Sequence, residues 1–241
     1  MRLRNSPTGA AFFCRPVTVP AFDADRGELI AEDLACRRGE RLIFHGLSFA
    51  LPAGGALLLS GANGSGKSSL LRVLAGLLAP VSGRLSWGGV AVAADPAAYR
   101  ARLHYVGHRD AVKPALGVRE TLAFWAELRG ADGRRIDAAL AAFGLAALAD
   151  WPCRWLSAGQ RQRLALARLL AAPAPLWLLD EPTAALDADG EDRLRAAIDA
   201  HRMAGGRAVV ATHQPIPLSE ARCLALEAFA RAPAGGLAGL E

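Results

Sequence analysis

Lysine is nearly missing from this chain of 241 residues: Lys67 and Lys113 are the only two, and every other basic side chain is arginine or histidine. The arginines are scattered. Although the formal charge is +5, no dense basic block forms of the kind that makes a nucleic-acid arm, so no nucleic-acid partner is expected. An arginine- and alanine-rich coding bias accounts for this balance, and weak attraction to an anionic membrane surface is the other reading. Long apolar runs are missing too. The longest, Leu164 to Leu179, includes Arg168 and two prolines and falls short of the roughly 18 to 20 residues a spanning helix needs. No membrane span is expected. The four cysteines, Cys14, Cys36, Cys153 and Cys223, share no CxxC or zinc spacing, which points to free thiols in a reducing compartment. Cys153, within "WPCRW", reads as a structural cysteine and not as a thiolate or haem ligand. Repeats and low-complexity arrays are absent.

What is present is a globular composition, 52% hydrophobic and 21% charged, with length enough to bury a core. In residues 1–27, prolines and glycines interrupt each short apolar group, and no apolar segment follows the initial arginines as a signal peptide requires. This stretch is read as a flexible extension. From residue 28 three strand-like runs (28–34, 41–50 and 55–60) are separated by "RRGE" and "PAGG" turns. A glycine-rich loop then leads into a helical pattern ended by Pro80 and Gly83. "GRLSWGGVAV" has hairpin character, "RLHYVG" is a short strand, and 118–149 carries helical periodicity. A long helix is expected from about Ser157 to Ala171, another from about 190 to 203. "PLWLLD" and "RAVVAT" read as buried parallel strands, and "CLALE" as the last strand. Strands alternating with helices predict an α/β fold with a mainly parallel sheet. Residues 28–227 form its main domain, with a helical insertion at about 110–160 and a tail at 228–241.

"GANGSGKS" matches the phosphate-loop pattern, placed after a strand and before a helix. Glycines at Gly61, Gly64 and Gly66 let the backbone turn so that successive N–H groups of Ala62, Asn63, Ser65 and their neighbours face one concavity, and the helix N-terminus at Lys67, Ser68 and Ser69 adds partial positive charge. Lys67 is placed to reach the β- and γ-phosphates of ATP, and Ser68 to ligate Mg²⁺. A buried strand delivers Asp180 at its C-terminal end, where α/β sheets place ligands; it is the second candidate for Mg²⁺. Glu181, one residue on, is placed to polarise a water as general base. In "LSAGQRQRLALARLL", Ser157 can cap a helix whose N-terminus offers N–H groups to an anion, with Gly159 permitting close approach. One phosphate loop already serves one triphosphate. A second phosphate-seeking helix end therefore suggests two chains, each completing the other's site.

At this point the sequence resembles the ATP-binding subunits of ATP-binding cassette transporters over residues 28 to about 227. "LSAGQRQR" is similar to the family signature, which assigns Ser157, Ala158 (where glycine is usual), Gly159 and Gln160 to nucleotide binding across a dimer. "AALD", ending at Asp187, resembles the loop that passes between the two subunits, and His213 in "VVATHQ" resembles the switch histidine that touches the γ-phosphate. The resemblance implies a P-loop core with an antiparallel β subdomain and a helical subdomain. His108 falls where the family has a glutamine that senses Mg²⁺ and water, and Arg38 where an aromatic ring usually stacks on adenine. Arg38 either stacks its guanidinium there or points into solvent.

"YVGHRDAVKPALGVRETLAFW" and "THQPIPL" narrow the resemblance to the ATP-binding subunits of the haem exporters of cytochrome c maturation. This implies an ATPase on the cytoplasmic face of a bacterial inner membrane, paired with itself and bound to integral membrane subunits. No direct haem site is expected, with His104 and His108 read as serving other ends. One alternative is the ATPase of another small importer or exporter. Another, of a different class, is a soluble ATP-binding cassette protein of DNA repair or translation. Those proteins usually carry a coiled coil or a second cassette, whereas here 89 residues separate Lys67 from Ser157 and one cassette is present.

Overall fold

The computed structural model describes residues 27–108, 111–214 and 216–230. The extension expected at 1–27 therefore lies outside the described residues except for Gly27, as does the tail from 231 on.

The first part of the chain forms an antiparallel sheet of order β2-β1-β4-β5, from Leu29–Arg38 (β1), Arg41–Leu51 (β2), Ser82–Trp87 (β4) and Val90–Ala91 (β5). The hairpin read in "GRLSWGGVAV" is present, with Trp87 opposite Val90. β1 runs four residues beyond the expected end because a shift in its pairing with β2 after Ala31, where Asp33 takes a positive φ of 50°, lets the strand continue past the irregularity.

The second sheet is wholly parallel, of order β6-β7-β8-β3-β9, from Ala56–Ser60 (β3), Leu103–Val106 (β6), Leu176–Asp180 (β7), Arg207–Ala211 (β8) and Arg222–Ala225 (β9). Every residue of β7 and β8 is buried, as continuous apolar runs predict for a sheet covered on both faces. The side-chain period of two divides them between two cores. Trp177, Leu179 and Val210 face a cluster with Val118, Leu140, Leu164 and Ile198 from the helices. Leu176, Leu178 and Val209 face Leu70, Leu71 and Leu74 of the first helix together with Leu29, Phe44 and Leu47 of the antiparallel sheet.

The first helix, Lys67–Leu74 (α1), stops well before Pro80. Gly76 takes φ 64° and returns its N–H to Val73, while Leu77 bonds Arg72 O at 2.9 Å, so a glycine closes the helix before the proline is reached. Pro96–Ala101 (α2) has no counterpart in the sequence reading: it is a six-residue helix capped by Asp95 and opened by Pro96, too short to show a period. The helical pattern at 118–149 divides into Val118–Leu128 (α3) and Ile136–Ala142 (α4), broken where Gly130, Gly133 and Gly144 adopt positive φ. The two later helices, Ala158–Ala171 (α5) and Ala188–Met203 (α6), lie as expected, α6 beginning two residues early.

At the amino edge of the parallel sheet, the His201 ring stacks on Trp177 with centroids 3.9 Å apart and planes 7° apart, and its Nε2 lies 3.2 Å from Arg207 O. Burial pushes its pKa from 6.5 down to about 3, against the raising effect of the Arg207 carbonyl. Below pH 6.5 the unfolded chain protonates this ring and the folded chain does not. Stability is therefore complete above 6.5 and falls as the pH drops towards 3, with a limiting slope of about 1.4 kcal/mol per pH unit. His201→Phe keeps a ring on Trp177 and removes the titration. It is expected to flatten the decline of Tm between pH 7 and pH 5, as read by thermal melts; an unchanged slope would contradict this account.

Candidate functional site

The parallel strands deliver the candidate residues to one edge of the sheet. β3 ends at Ser60, and the loop from Gly61 turns into α1 through Gly66, whose φ of 106° suits glycine and where an added Cβ would run into the Ile43 side chain. Ala62, Asn63 and Gly64 are exposed, and Ser65 closes the turn with its N–H on Ala62 O at 3.1 Å. Lys67 is buried. Its Nζ donates to Gly61 O at 2.6 Å and to Ala62 O at 3.3 Å, and stands 3.9 Å from Glu181 Oε1. Ser68 Oγ donates to Asp180 Oδ1 at 3.1 Å, with Ser69 next along the helix.

Asp180 is 3% exposed at the end of β7. Glu181 follows with φ 51°, a conformation that costs a non-glycine residue about 1 kcal/mol or more. Its N–H is held by Ala211 O at 2.8 Å. This sets the carboxylate beside His213, whose Nδ1 lies 2.8 Å from Glu181 Oε2 and whose backbone N–H donates to the same oxygen at 3.3 Å. The sheet thus gathers Lys67, Ser68, Asp180, Glu181 and His213 into one cluster: a lysine at a helix N-terminus, a hydroxyl hydrogen-bonded to a buried carboxylate, and a second carboxylate beside an imidazole.

Ser157, Ala158, Gly159 and Gln160 form a second group. Ser157 caps α5 reciprocally, its Oγ accepting the Gln160 N–H at 3.2 Å while its own N–H donates to Gln160 Oε1 at 2.8 Å. An added Cβ on Gly159 would stand 2.8 Å from Ala185 O, so the close approach expected here is to the loop before α6. Asp187 caps α6, accepting the Gly190 N–H at 3.0 Å, and both its oxygens accept from Arg163 at 2.6 and 2.7 Å. These contacts hold its carboxyl below the usual carboxylate range, the Gly190 amide foremost. Among the described residues no hydrogen bond or ion pair joins 61–69 to 157–160. Within one chain the two anion-seeking elements are separate. His108 is exposed one residue beyond Gly107, after β6, and Arg38 is exposed at the β1–β2 turn.

Four further side chains belong to this region. Arg163 lies inside the quoted signature, yet nothing in the sequence announces its pairing with Asp187. Arg168, 4% exposed on α5, donates to Tyr105 O at 2.6 Å and lies 4.4 Å from the Trp125 ring centroid. The Tyr105 phenol lies beside Asp180 and Arg72, with its pKa raised by burial first and by the Asp180 carboxylate next. Glu227, in the 3-10 turn Leu226–Phe229 that follows β9, accepts the Ala62 N–H at 2.6 Å; only its place just past the last strand could have flagged it.

No cluster of three or more His, Cys, Asp or Glu side chains suited to a metal occurs among the described residues. A hydroxyl beside a buried carboxylate is instead the sparse, all-oxygen donor set that fits Mg²⁺, which takes its other ligands from water and phosphate.

Residues 44–184 match the ABC transporter family. The chain belongs to that family. As an ABC transporter ATPase it binds and hydrolyses ATP. It is closely similar to the cytochrome c biogenesis ATP-binding export protein CcmA of Rhodospirillum rubrum, 63% identical over 202 residues that cover 84% of this chain and 87% of that protein. The protein of the same name from Paramagnetospirillum magneticum is 58% identical over 204 residues, covering 83% and 94%. A putative ABC transporter ATP-binding protein from Pyrococcus furiosus shares the fold at 20% identity, with a TM-score of 0.76 over 85% of this chain and all of that one. A bacterial Atm1-family ABC exporter with ATP bound matches with a TM-score of 0.70 and 28% identity, over 81% of this chain and 36% of that one.

The double use of Asp187, as helix cap and partner of Arg163, leads to a separable prediction. Asp187→Ala is expected to lower the midpoint of unfolding in a urea titration. Asp187→Asn, which can still cap α6, is expected to recover most of that loss. Equal losses in the two variants would assign the stability to the ion pair instead.

Proposed function

We propose that this ABC transporter ATPase drives the export complex of cytochrome c biogenesis, the haem exporter of that system. The observation that carries the reading is its close similarity, along most of its length, to proteins named for that process in two bacteria, together with the Gly107–His108 pair where other cassettes have glutamine.

In this reading Lys67 leaves the Gly61 and Ala62 carbonyls and takes the β- and γ-phosphates of ATP, joined by the N–H groups of the loop through Ser69. Ser68 and Asp180 would hold Mg²⁺, which would supply positive charge to neutralise the phosphates. Glu181 takes the proton of the attacking water, and His213 keeps its carboxylate aimed and meets the γ-phosphate. A second copy brings Ser157–Gln160 and its Asp187 loop against that phosphate. The separation of 61–69 from 157–160 within one chain supports such a pairing. ATP favours the closed pair only through contacts made across it, and hydrolysis removes them. Arg38 offers its guanidinium to the adenine, and His108 takes the position that senses the nucleotide for the helical subdomain.

No helix of the described residues is long and apolar enough to cross a membrane. By its similarity to the export proteins of cytochrome c biogenesis, the subunit is placed in this reading on the cytoplasmic face, against integral membrane subunits from other chains. The helical subdomain offers a docking surface. Trp151 and Trp155 are exposed in edge-to-face contact with centroids 6.1 Å apart, Arg154 lies over Trp155, and Lys113 lies over the exposed Phe124. Exposed aromatics with cations at their faces are common anchors in protein interfaces.

Glu181→Gln is expected to slow phosphate release by about 100-fold or more while ATP stays bound. Purified with ATP in mild detergent from the native host, this variant should bring down the integral membrane subunits of cytochrome c maturation, identified by mass spectrometry. A different permease would move the chain to another exporter or importer, and near-normal turnover would remove Glu181 from the chemistry. Adding Trp151→Ser and Trp155→Ser is expected to abolish recovery of the membrane partners and leave ATP affinity within about twofold.

A further inference from the structure

We propose that Glu227 is a positioning residue for ATP: its carboxylate anchors the first peptide group of the phosphate loop and holds it in place when Lys67 moves to the nucleotide.

The peptide group between Gly61 and Ala62 is gripped at both ends. Its C=O accepts from Lys67 Nζ at 2.6 Å, and its N–H donates to Glu227 Oε1 at 2.6 Å. In a trans peptide these two bonds point in opposite directions, so together they fix the plane in which the loop leaves β3. The carboxylate also lies close over the Gly61 Cα. A Cβ there would meet Glu227 Oε1 at 2.8 Å and Oε2 at 3.0 Å, so the first glycine of the loop makes room for Glu227 as well as for its own turn. The contact spans 165 residues of sequence and is set by register: β9 pairs with β3 through Leu59–Leu224 and Ser60–Ala225, leaving Ala62 and Glu227 each two residues past the last pair. Amide donors, its own N–H and that of Ala62, hold the Glu227 carboxyl below its usual range, with Lys67 adding to the effect.

When ATP draws Lys67 to its phosphates, the C=O of this peptide group loses its side-chain partner and the N–H keeps one. The loop amides that follow are then presented to phosphate from a fixed first peptide. Without Glu227, binding must also halt the rotation of the Gly61–Ala62 plane, next to two further glycines, and affinity falls by that ordering cost. The role rests on an accepting oxygen at this place and not on negative charge, which by itself opposes a triphosphate.

The test is the dissociation constant of ATP for the full chain, measured by isothermal calorimetry beside thermal melts. Glu227→Ala is expected to weaken ATP binding roughly 10-fold, the scale of one lost charge-assisted hydrogen bond. Glu227→Gln, which keeps an accepting oxygen, is expected to stay within about threefold of the parent. If Glu227→Ala fails to fold, Glu227→Asp, which withdraws the carboxylate by one methylene and keeps its charge, replaces it, with weaker binding supporting the proposal and unchanged affinity overturning it. Parent-like affinity in Glu227→Ala also overturns it, as does equal weakening in Ala and Gln variants of parent-like Tm. The proposal rests on residues 61–68 being the ATP site. Loss of binding in Lys67→Ala, run alongside, tests that premise independently.

Discussion

Parallel pairing of β3 between β8 and β9 is the constraint from which the site follows. Strands that run in one direction end on one edge, and the ladders here fix how far each reaches. Leu59 pairs with Ala211, Ala211 with Asp180, Leu179 with Val106, and Ser60 with Ala225. The phosphate loop, Asp180–Glu181, His213, Gly107–His108 and Glu227 therefore all leave from the same rim. Burial on both faces locks that register. A one-residue slip of β7 would exchange Trp177 and Leu179 with Leu176 and Leu178, putting an indole where the α1 leucines now pack.

The helical subdomain is tied to this rim through α5. Arg168 reaches the carbonyl of Tyr105, on the strand that leads to His108, and stacks on Trp125 of α3. Burial lowers its pKa to about 10, with Arg129 adding to the shift, so at neutral pH it remains a cation making a charge-assisted bond. At the other end of α5, Gln162 donates to Pro182 O at 3.0 Å and Arg163 holds Asp187. The helix that begins with the signature thus touches, along its length, the loop after Glu181, the strand before His108 and the subdomain that carries the exposed tryptophans. A displacement of its N-terminus has rigid, hydrogen-bonded routes to each of them.

Features resting on contacts close in sequence were legible. The Ser157 cap of α5 serves an amide three residues on, the turn at Gly66 lies within its own motif, and the apolar runs of β7 and β8 announce burial on both faces. Misreadings arose where a local pattern was too short or was cut by backbone conformation: α2 has six residues, and glycines in the left-handed region stop α1 early and divide the pattern at 118–149. The role of Glu227 was invisible for another reason. Of "CLALE" only Cys223–Ala225 is strand, Leu226 and Glu227 turning into a short 3-10 helix, and only the pairing of β9 with β3 carries this glutamate to a loop 165 residues earlier.

The amino-acid sequence by itself determined the residue types on which the proposed chemistry draws: a lysine at a glycine-turned helix start, a hydroxyl and a carboxylate at spacings suited to Mg²⁺, a second carboxylate beside them, and a capped helix start. These depend on residue type and on spacings of a few residues, which the chain encodes directly. The tertiary structure alone decided which side chains meet. The Lys67–Glu181 proximity, the Glu181–His213 contact, the Arg163–Asp187 pair and the Glu227 anchor depend on strand order and register. Those are set by the burial of two apolar cores at once, a property of the assembled sheet and not of any segment within it.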